Sequence, residues 1–477
     1  METTFSTATN TVTIEDILEH QRATKLAWRH SSASARIERL NKLERWIEKN
    51  ADDIRLALQD DFRKPELETD MTEIHPVLSE IRHTKRHLRS WMRKEKVSTP
   101  LTLLGSSSWV QYEPKGSSLI IAPWNYPFNL QVVPLVSCLA AGCPAVLKPS
   151  EMTPRTAGLL QRMVEELFTT DEVAIYQGGK EVSQALLAQP FDHIFFTGSP
   201  QVGKIVMEAA AKNLSSVTLE LGGKSPALVS KNSKLRTSAE RIILGKWVNA
   251  GQTCIAPDYI LVQEEVAQEF IRHLKDVMDK MYGTETIDRP HPDFCSIISE
   301  NHFNRLKKAI EEAVNAGAEV VYGGKLIAEK NYIQPTIISH LPDDCSLMQD
   351  EIFGPILPIK TYKTIEEAID YINDHPKPLA LYLFTSMKSE QKYILKSTSA
   401  GGVCIYDTAI HYLNPNLPFG GVNNSGIGKA HGQWGFKAFS NAKAVLEQRQ
   451  GMATTAIFKP PYSPFAKKVA RLILKFL

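Results

Sequence analysis

No Cys-x-x-Cys pair occurs among the six cysteines (138, 143, 254, 295, 345 and 404), and their density is too low for a disulfide framework. That absence argues against a structural zinc site and favours a reducing compartment. Excess charge of one sign is missing as well. A formal net charge of +2 supplies no global field for nucleic acid, and no zinc-finger or RNA-binding signature is present. The first twenty residues, METTFSTATNTVTIEDILEH, are polar and acidic and lack the basic and apolar regions of a signal peptide. Long hydrophobic runs are absent too. The most apolar stretch, 131–147, is interrupted by Pro134, Gly142 and Pro144, which predicts buried core rather than a membrane span. What remains is an ordinary globular composition, 43% hydrophobic and 23% charged, in a chain long enough for two or three domains.

Residues 14–62 and 68–96 read as charged amphipathic helices, followed by a loop or ribbon crossing at STPLTLLGSSS. From 117 onward strands and helices alternate. SSLIIA, AVLKPS, VAIY, HIFFTGS and VTLEL are separated by helical segments near 128–141, 154–168, 181–188 and 200–212. Strands that are nearly all apolar, joined by helices, predict a parallel sheet covered on both faces. Such a sheet binds ligands beyond the carboxyl ends of its strands. A second alternation follows GGKSP: helix 235–250, strand 259–263, helices 265–281 and 301–316, strands near 319–322 and 355–361, helix 364–373 and strand 379–385. The fold class is therefore α/β, with two domains packed across a cleft and no low-complexity linker between them.

Within this frame, Cys254 stands out in NAGQTCIAPDYILVQ. The preceding helix repeats its apolar positions at Ala239, Ile242, Ile243, the Lys246 stem, Trp247 and Ala250, and YILVQ reads as a short buried strand. The cysteine thus falls on a helix-to-strand turn, where Gly251 allows a close backbone approach. A small buried hydrophobe is the competing interpretation.

Other strand ends carry chemistry too. In FFTGSPQVGK, Gly198, Ser199 and Gly203 sit at a strand-to-helix turn whose free N–H groups suit a pyrophosphate. The spacing is not Gly-x-Gly-x-x-Gly, so a purely structural turn reads the same. LGGKSP lacks the first glycine of a phosphate loop, which disfavours nucleotide-triphosphate hydrolysis. Glu220, in VTLELGG, puts a carboxylate at the end of an apolar strand. Such a charge is costly unless it is paired or its pKa is raised for acid–base work, and a structural salt bridge is the alternative. Asn125, in APWNYPFN, can donate to a developing oxyanion. Lys148 and Glu151, in LKPSE, can hold ribose hydroxyls or simply form a solvated loop. Glu351 lies beside Phe353 in DEIFGP.

In combination and in order, PWNYP, KPSE, FTGSPQVGK, LELGGKSP, GQTC, EIFGP and PFGG resemble the aldehyde dehydrogenase superfamily from about residue 15 to 447. GQTCIAPDY and LPFGGVNNSG look most like its class 3 and fatty-aldehyde branch. The resemblance implies a cofactor-binding domain over 1–97 and 113–219, a catalytic domain over 220–415, and an oligomerisation element over 98–112 and 416–447. A basic tail follows at 448–477. It also implies NAD(P)-dependent aldehyde oxidation, with Cys254 as nucleophile, Glu220 as general base and Asn125 as oxyanion donor. Trp124, Lys148, Glu151, Gly198, Ser199, Gly203, Glu351 and Phe353 would bind the cofactor. NAD is favoured because Glu151 repels a 2′-phosphate, and NADP stays open; no metal is required. A homodimer in the cytoplasm is implied, without nucleic-acid partners. Two alternatives are a cofactor-independent thiol hydrolase or acyltransferase and a catalytically silent scaffold.

Two features leave the aldehyde preference open between medium or long aliphatic and aromatic. In GGVCIYDTAIHYLNPN, Cys404, Ile405 and Tyr406 depart from the small and polar residues of the branch, in a segment expected to border the substrate channel. The tail PPYSPFAKKVARLILKFL has no acid, and Phe465, Val469, Leu472, Ile473 and Phe476 recur at helical spacing opposite its cations, with Leu474 off pattern. Such a helix suits a substrate lid or a membrane surface, and packing on its own or a partner subunit is the alternative.

Overall fold

The computed structural model describes residues 12–283, 290–451 and 454–476. Residues 1–11, which carry much of the leader expectation, and the Phe476 side chain lie outside the described residues. Amphipathic helices open the chain at Ile17–His20, Arg22–Arg29, Ala33–Lys49, Ala51–Phe62 and His75–Trp91. Against them packs Asn129–Ala141, a helix apolar on nearly every side and buried throughout except at Leu130. The apolar stretch 131–147 is thus an internal helix followed by the strand Ala145–Lys148. Among the described residues no helix is long and apolar enough to cross a membrane.

The first sheet runs, in spatial order, Gly426–Ile427, Ser216–Leu221, His193–Gly198, Ser118–Ile121, Ala145–Lys148 and Val173–Ile175. All pairs are parallel except the one made by Gly426–Ile427. From Ser118 the chain winds outward to Ile175 and then returns to the other side of its first strand. The direction of winding therefore reverses between Ser118–Ile121 and His193–Gly198, the place where an open α/β sheet leaves a crevice for a ligand.

The second sheet orders Glu319–Tyr322, Thr336–Ser339, Ile356–Tyr362, Tyr259–Gln263, Pro226–Val229, Ala380–Phe384 and Gly402–Ile405, antiparallel only at its first pair. Pro226–Val229, Thr336–Ser339 and Gly402–Ile405 are additions to the strands that the sequence pattern predicts. A third, antiparallel sheet joins Glu95–Val97, Ser107–Pro114 and Ser440–Glu447, tying the crossing near residue 100 to the end of the chain's core.

Two local expectations need correction. The helix expected over 235–250 ends at Trp247, because Asn249 and Ala250 adopt left-handed backbone (φ 57° and 52°). In the tail helix Pro464–Phe476, the single apolar face is split. Val469 and Ile473 are half-buried, while Phe465 and Leu472 point outward with Leu474. Only the inner row packs on the protein.

Candidate active site

The carboxyl ends of the first sheet face the amino ends of the second. Asn125, just beyond Ser118–Ile121, donates from Nδ2 to the Gln252 carbonyl at 2.9 Å, and the Asp258 N–H donates to Ser225 O at 2.7 Å. Cys254 lies on the turn entering Tyr259–Gln263. Its loop begins with three left-handed residues in a row, Asn249, Ala250 and Gly251 (φ 71°). Non-glycine residues held this way cost about 1–2 kcal/mol each. Asn249 is suited to it, since its amide reaches the carbonyls of Asn125 (2.9 Å) and Gln252 (3.1 Å). At Gly251 a Cβ would collide with the Gly354 carbonyl, so glycine is required. Buried Gln252 anchors the loop further, donating to Asn249 O and Ser296 O at 3.1 Å and accepting from the Ile298 N–H at 3.0 Å.

The result is a presented thiol. Cys254 is half-buried, packed against the edge of the core, while the other five cysteines are buried. Its electrostatic setting is not positive. Burial, then the nearby carboxylates of Glu351 and Glu220, push the thiol up to about 12, so it rests protonated and needs a base.

Glu220 is one of the two carboxylates that bear on the thiol. It sits in Ser216–Leu221, paired in register with Thr197 on one side and Gly426 on the other. Neither carboxylate oxygen has a hydrogen-bond partner in the structure. Burial raises its pKa well above the ordinary carboxylate range, and the Lys429 cation partly offsets this. A structural salt bridge would have left its oxygens satisfied. Glycine of the PFGG motif is explained here: a Cβ on Gly420 (φ 143°) would stand 2.9 Å from Glu220 Oε1. Lys429 in turn is held by the carbonyls of Gly420 and Gly421, the latter at 3.1 Å.

The expected cofactor residues fall in two groups along the crevice. Near the thiol, the Trp124 ring meets Phe353 edge-on at 5.3 Å. Glu351 is pushed up to about 8 by burial and by Asp258, has an unpartnered Oε1, and lies so close to Gly222 that a Cβ there would collide with it. Farther along, buried Lys148 ends its strand and pairs with half-exposed Glu151 at 2.8 Å. Ser199 caps the helix Pro200–Asn213, accepting from the Val202 N–H at 3.3 Å, while Gly203 N–H closes on the Ser199 carbonyl and the Gln201 N–H is left for an anion. Gly203 lets this helix lie on the sheet, since a Cβ would meet Leu221 Cδ2 at 2.7 Å.

Sequence reasoning assigned no role to Asn249, Lys429 or Tyr382, whose hydroxyl donates to the Ile255 carbonyl beside the nucleophile. Gln252 was visible only as a letter of GQTC. In the divergent segment 401–416, Cys404 is a buried strand residue and the Tyr406 hydroxyl accepts from Gln391 Nε2 at 2.7 Å. The Tyr412 hydroxyl instead exchanges hydrogen bonds with the Asn129 side chain at 2.8 and 3.0 Å. Tyr412 meets both Phe419 and His431 edge-on, and those two rings stack at 5.0 Å. Burial lowers both His411 and His431 to about 4, so this wall is aromatic and uncharged at neutral pH.

A half-buried thiol with a raised pKa, near two buried carboxylates and on a loop bonded to the Asn125 amide, suits covalent chemistry on a carbonyl carbon. The fold and the site together point to the class of oxidoreductases. Comparison with known proteins agrees and sharpens this. Residues 3–445 match the aldehyde dehydrogenase family. The chain is 42% identical over 429 residues to 4,4'-diaponeurosporen-aldehyde dehydrogenase of Staphylococcus aureus, covering 90% of this chain and 92% of that one. It is 40% identical to a probable coniferyl aldehyde dehydrogenase of Caulobacter vibrioides, with 95% of each covered. It is 42% identical to aldehyde dehydrogenase family 3 member H1 of Arabidopsis thaliana, with 90% and 88% covered. Among solved structures, a substrate-bound Staphylococcus aureus AldH superposes with a TM-score of 0.92 at 39% identity, covering 97% of this chain and 99% of that one. Betaine aldehyde dehydrogenase from the same organism, solved with NAD+, does so at 0.82 and 26% identity, covering 91% and 87%.

The chain belongs to the aldehyde dehydrogenase family, on its class 3 side, and is an enzyme that oxidises aldehydes. That decides against the cofactor-independent hydrolase and the silent scaffold.

Proposed function

We propose that Cys254 Sγ adds to the aldehyde carbon, that the Asn125 side-chain amide stabilises the oxyanion so formed, and that Glu220 serves as general base. The observation carrying this is Glu220, a buried carboxylate with both oxygens unpartnered beside a protonated, half-buried thiol. A base in that position takes the thiol proton before addition and later a proton from the water that releases the acid from the Cys254 thioester. Asn125 keeps one amide hydrogen on Gln252 O, which fixes its plane and leaves the other for the oxyanion.

The residues present fit NAD or NADP. The unpartnered Glu351 Oε1 suits a ribose hydroxyl, Trp124 and Phe353 border the nicotinamide position, Gly198, Ser199 and Gly203 form the pyrophosphate seat, and Lys148 with Glu151 take the adenosine ribose. When bound, the cofactor supplies the hydride acceptor. Glu151, half-exposed at its strand end, opposes a 2′-phosphate and favours NAD. The uncharged wall of Tyr412, Phe419 and His431 supports aromatic and medium- to long-chain aliphatic aldehydes as substrates.

Residues 1–97 and 113–219 form the cofactor domain in this assignment, 220–415 the catalytic domain, and 98–112 with 416–447 the oligomerisation element. Homodimer formation is supported by exposed Val202, Ile205 and Met207 on one helix and Leu214 just after it. The tail supports contact with an anionic membrane surface by an otherwise cytoplasmic enzyme: Phe465 and Leu474 are 64% and 86% exposed, among Lys467, Lys468, Arg471 and Lys475. Reduced-nicotinamide formation from short, long and aromatic aldehydes, with NAD and with NADP, tests the assignment. Turnover without cofactor, or unchanged turnover in Cys254→Ala, would overturn it.

A further inference from the structure

Three ionisable side chains lie behind the nucleophile loop, where the chemistry calls for no charge. Lys64 and Glu73 are wholly buried and pair at 3.0 Å. Glu68 is half-buried, with its carboxylate on the inner side. Each is attached to a segment that carries an active-site group. Glu73 Oε2 accepts the Asn129 N–H at 2.8 Å, at the start of the helix that follows Asn125. Glu68 Oε2 accepts the Asn249 N–H at 2.9 Å, on the first left-handed residue of the Cys254 loop. Lys64 Nζ stands 4.0 Å over the Tyr126 ring, and the Tyr126 hydroxyl shares a 2.6 Å hydrogen bond with Thr253, next to the nucleophile.

The backbone makes this grouping possible. In a regular α-helix, residues five apart point about 140° away from each other. Here the helix Glu66–Thr69 runs into a π-helical turn, Asp70–Ile74, whose wider winding brings Glu73 back to the side of Glu68. Such turns concentrate at functional sites. Helix Ala51–Phe62 ends just before Lys64, at Arg63 in left-handed backbone (φ 58°), so Lys64 enters the same knot from the other side.

We propose that Lys64, Glu68 and Glu73 are positioning residues that hold the Asn125 amide and the Cys254 loop in register, so that both address one oxyanion. This rests on the assignment of Cys254 as nucleophile and Asn125 as oxyanion donor. Asn125 and Cys254 stand beside different sheets, and their segments touch directly through Asn125 to Gln252 O, Asn249 to Asn125 O and Tyr126 to Thr253, all of which depend on where the two backbones are held. The acidic knot grips both segments from one helix. Glu68 matters most, because it holds the residue at which the backbone turns left-handed.

The test uses full-length Glu68→Ala and Glu68→Gln. Glutamine keeps an acceptor oxygen for the Asn249 N–H; alanine does not. Misplacement of reacting groups by 1 Å costs about a hundredfold. Glu68→Ala is therefore expected to lower kcat/KM for aldehyde by about ten- to a hundredfold, and to slow iodoacetamide alkylation of Cys254, with NAD affinity and Tm nearly unchanged. Glu68→Gln should recover most of the rate. Unchanged kcat/KM in Glu68→Ala, equal damage in Glu68→Gln, or a parallel loss of Tm and NAD affinity would each overturn the proposal. Cys254→Ala run alongside separates the two failures: an active Cys254→Ala sinks the parent assignment, and with an inactive one the two Glu68 variants decide the positioning role.

Discussion

Replacing Glu220 by glutamine separates the two halves of the reaction. The change is nearly isosteric, and the carboxyl it removes has no hydrogen-bond partner, so the fold loses little. An amide left unsatisfied there costs about 1–3 kcal/mol, which a melting curve would register as a modest shift. The kinetic cost is larger. Loss of a general base is worth about a hundred- to ten-thousandfold, or roughly 2.7–5.5 kcal/mol of barrier. That cost falls on release of the acid. Formation of the thiol adduct loses the same base while burial and Glu351 still hold the thiol up, so the burst develops more slowly than in the wild type but ahead of acid release. A stopped-flow trace at saturating NAD and hexanal should show a burst of about one reduced nicotinamide per subunit, followed by a slow steady rate. Wild-type turnover across the accessible pH range would refute the reasoning.

Three further outcomes follow from the same geometry. Lys429→Met removes the cation that opposes the upward shift of Glu220. The ionised carboxylate is the working form, so the acid limb of the kcat profile should move to higher pH; a limb that stays or moves down contradicts the pairing. Gly203→Ala puts a methyl 2.7 Å from Leu221 Cδ2 and lifts the helix that begins at Ser199. An overpacking cost of about 1–3 kcal/mol is expected, read as weaker NAD binding by calorimetry, and unaltered affinity would remove that helix from the cofactor seat. Truncation after Ser463 deletes Lys467, Lys468, Arg471 and Lys475 with the exposed Phe465, Leu472 and Leu474. Co-sedimentation with anionic vesicles should fall at low salt. If the helix also covers the substrate entrance, loss of three methylene contacts, about 2.4 kcal/mol, penalises hexadecanal roughly fiftyfold against propanal. An equal loss on both aldehydes would indicate a stabilising helix instead.

Legibility of the sequence followed the physics of each segment. Glu220 and Asn125 drew notice because a polar residue at or just past the end of an apolar strand is conspicuous, and Cys254 because its turn is framed by a periodic helix and a β-branched strand. Pro226–Val229 was hidden by its length and its leading proline, and Gly402–Ile405 by its glycine and its place at the sheet edge. The end of the helix before Cys254 was misplaced because Ala250 carries no local signal for left-handed backbone and Asn249 only a weak one; the hydrogen bonds Asn249 donates to Asn125, Gln252 and Glu68 impose it. Glu68 and Glu73 fell within a segment read only as a charged amphipathic helix, and Lys64 in the gap before it. Only a π turn and the helices packed above it put them inside. Lys246, read as an apolar stem with its head in water, is buried to the tip, and Nζ has no partner in the structure. Periodicity shows which face of a helix is apolar; it does not show whether the opposite face is also covered.

The central claim is a covalent bond between Cys254 and the substrate. The direct measurement is acid quenching of Glu220→Gln during turnover of hexanal with NAD, followed by peptide mapping by mass spectrometry. The mechanism predicts an acyl group on the peptide bearing Cys254, removed by hydroxylamine, with the other five cysteines unmodified. An acyl group on another cysteine, or steady turnover with no adduct at Cys254, would contradict it.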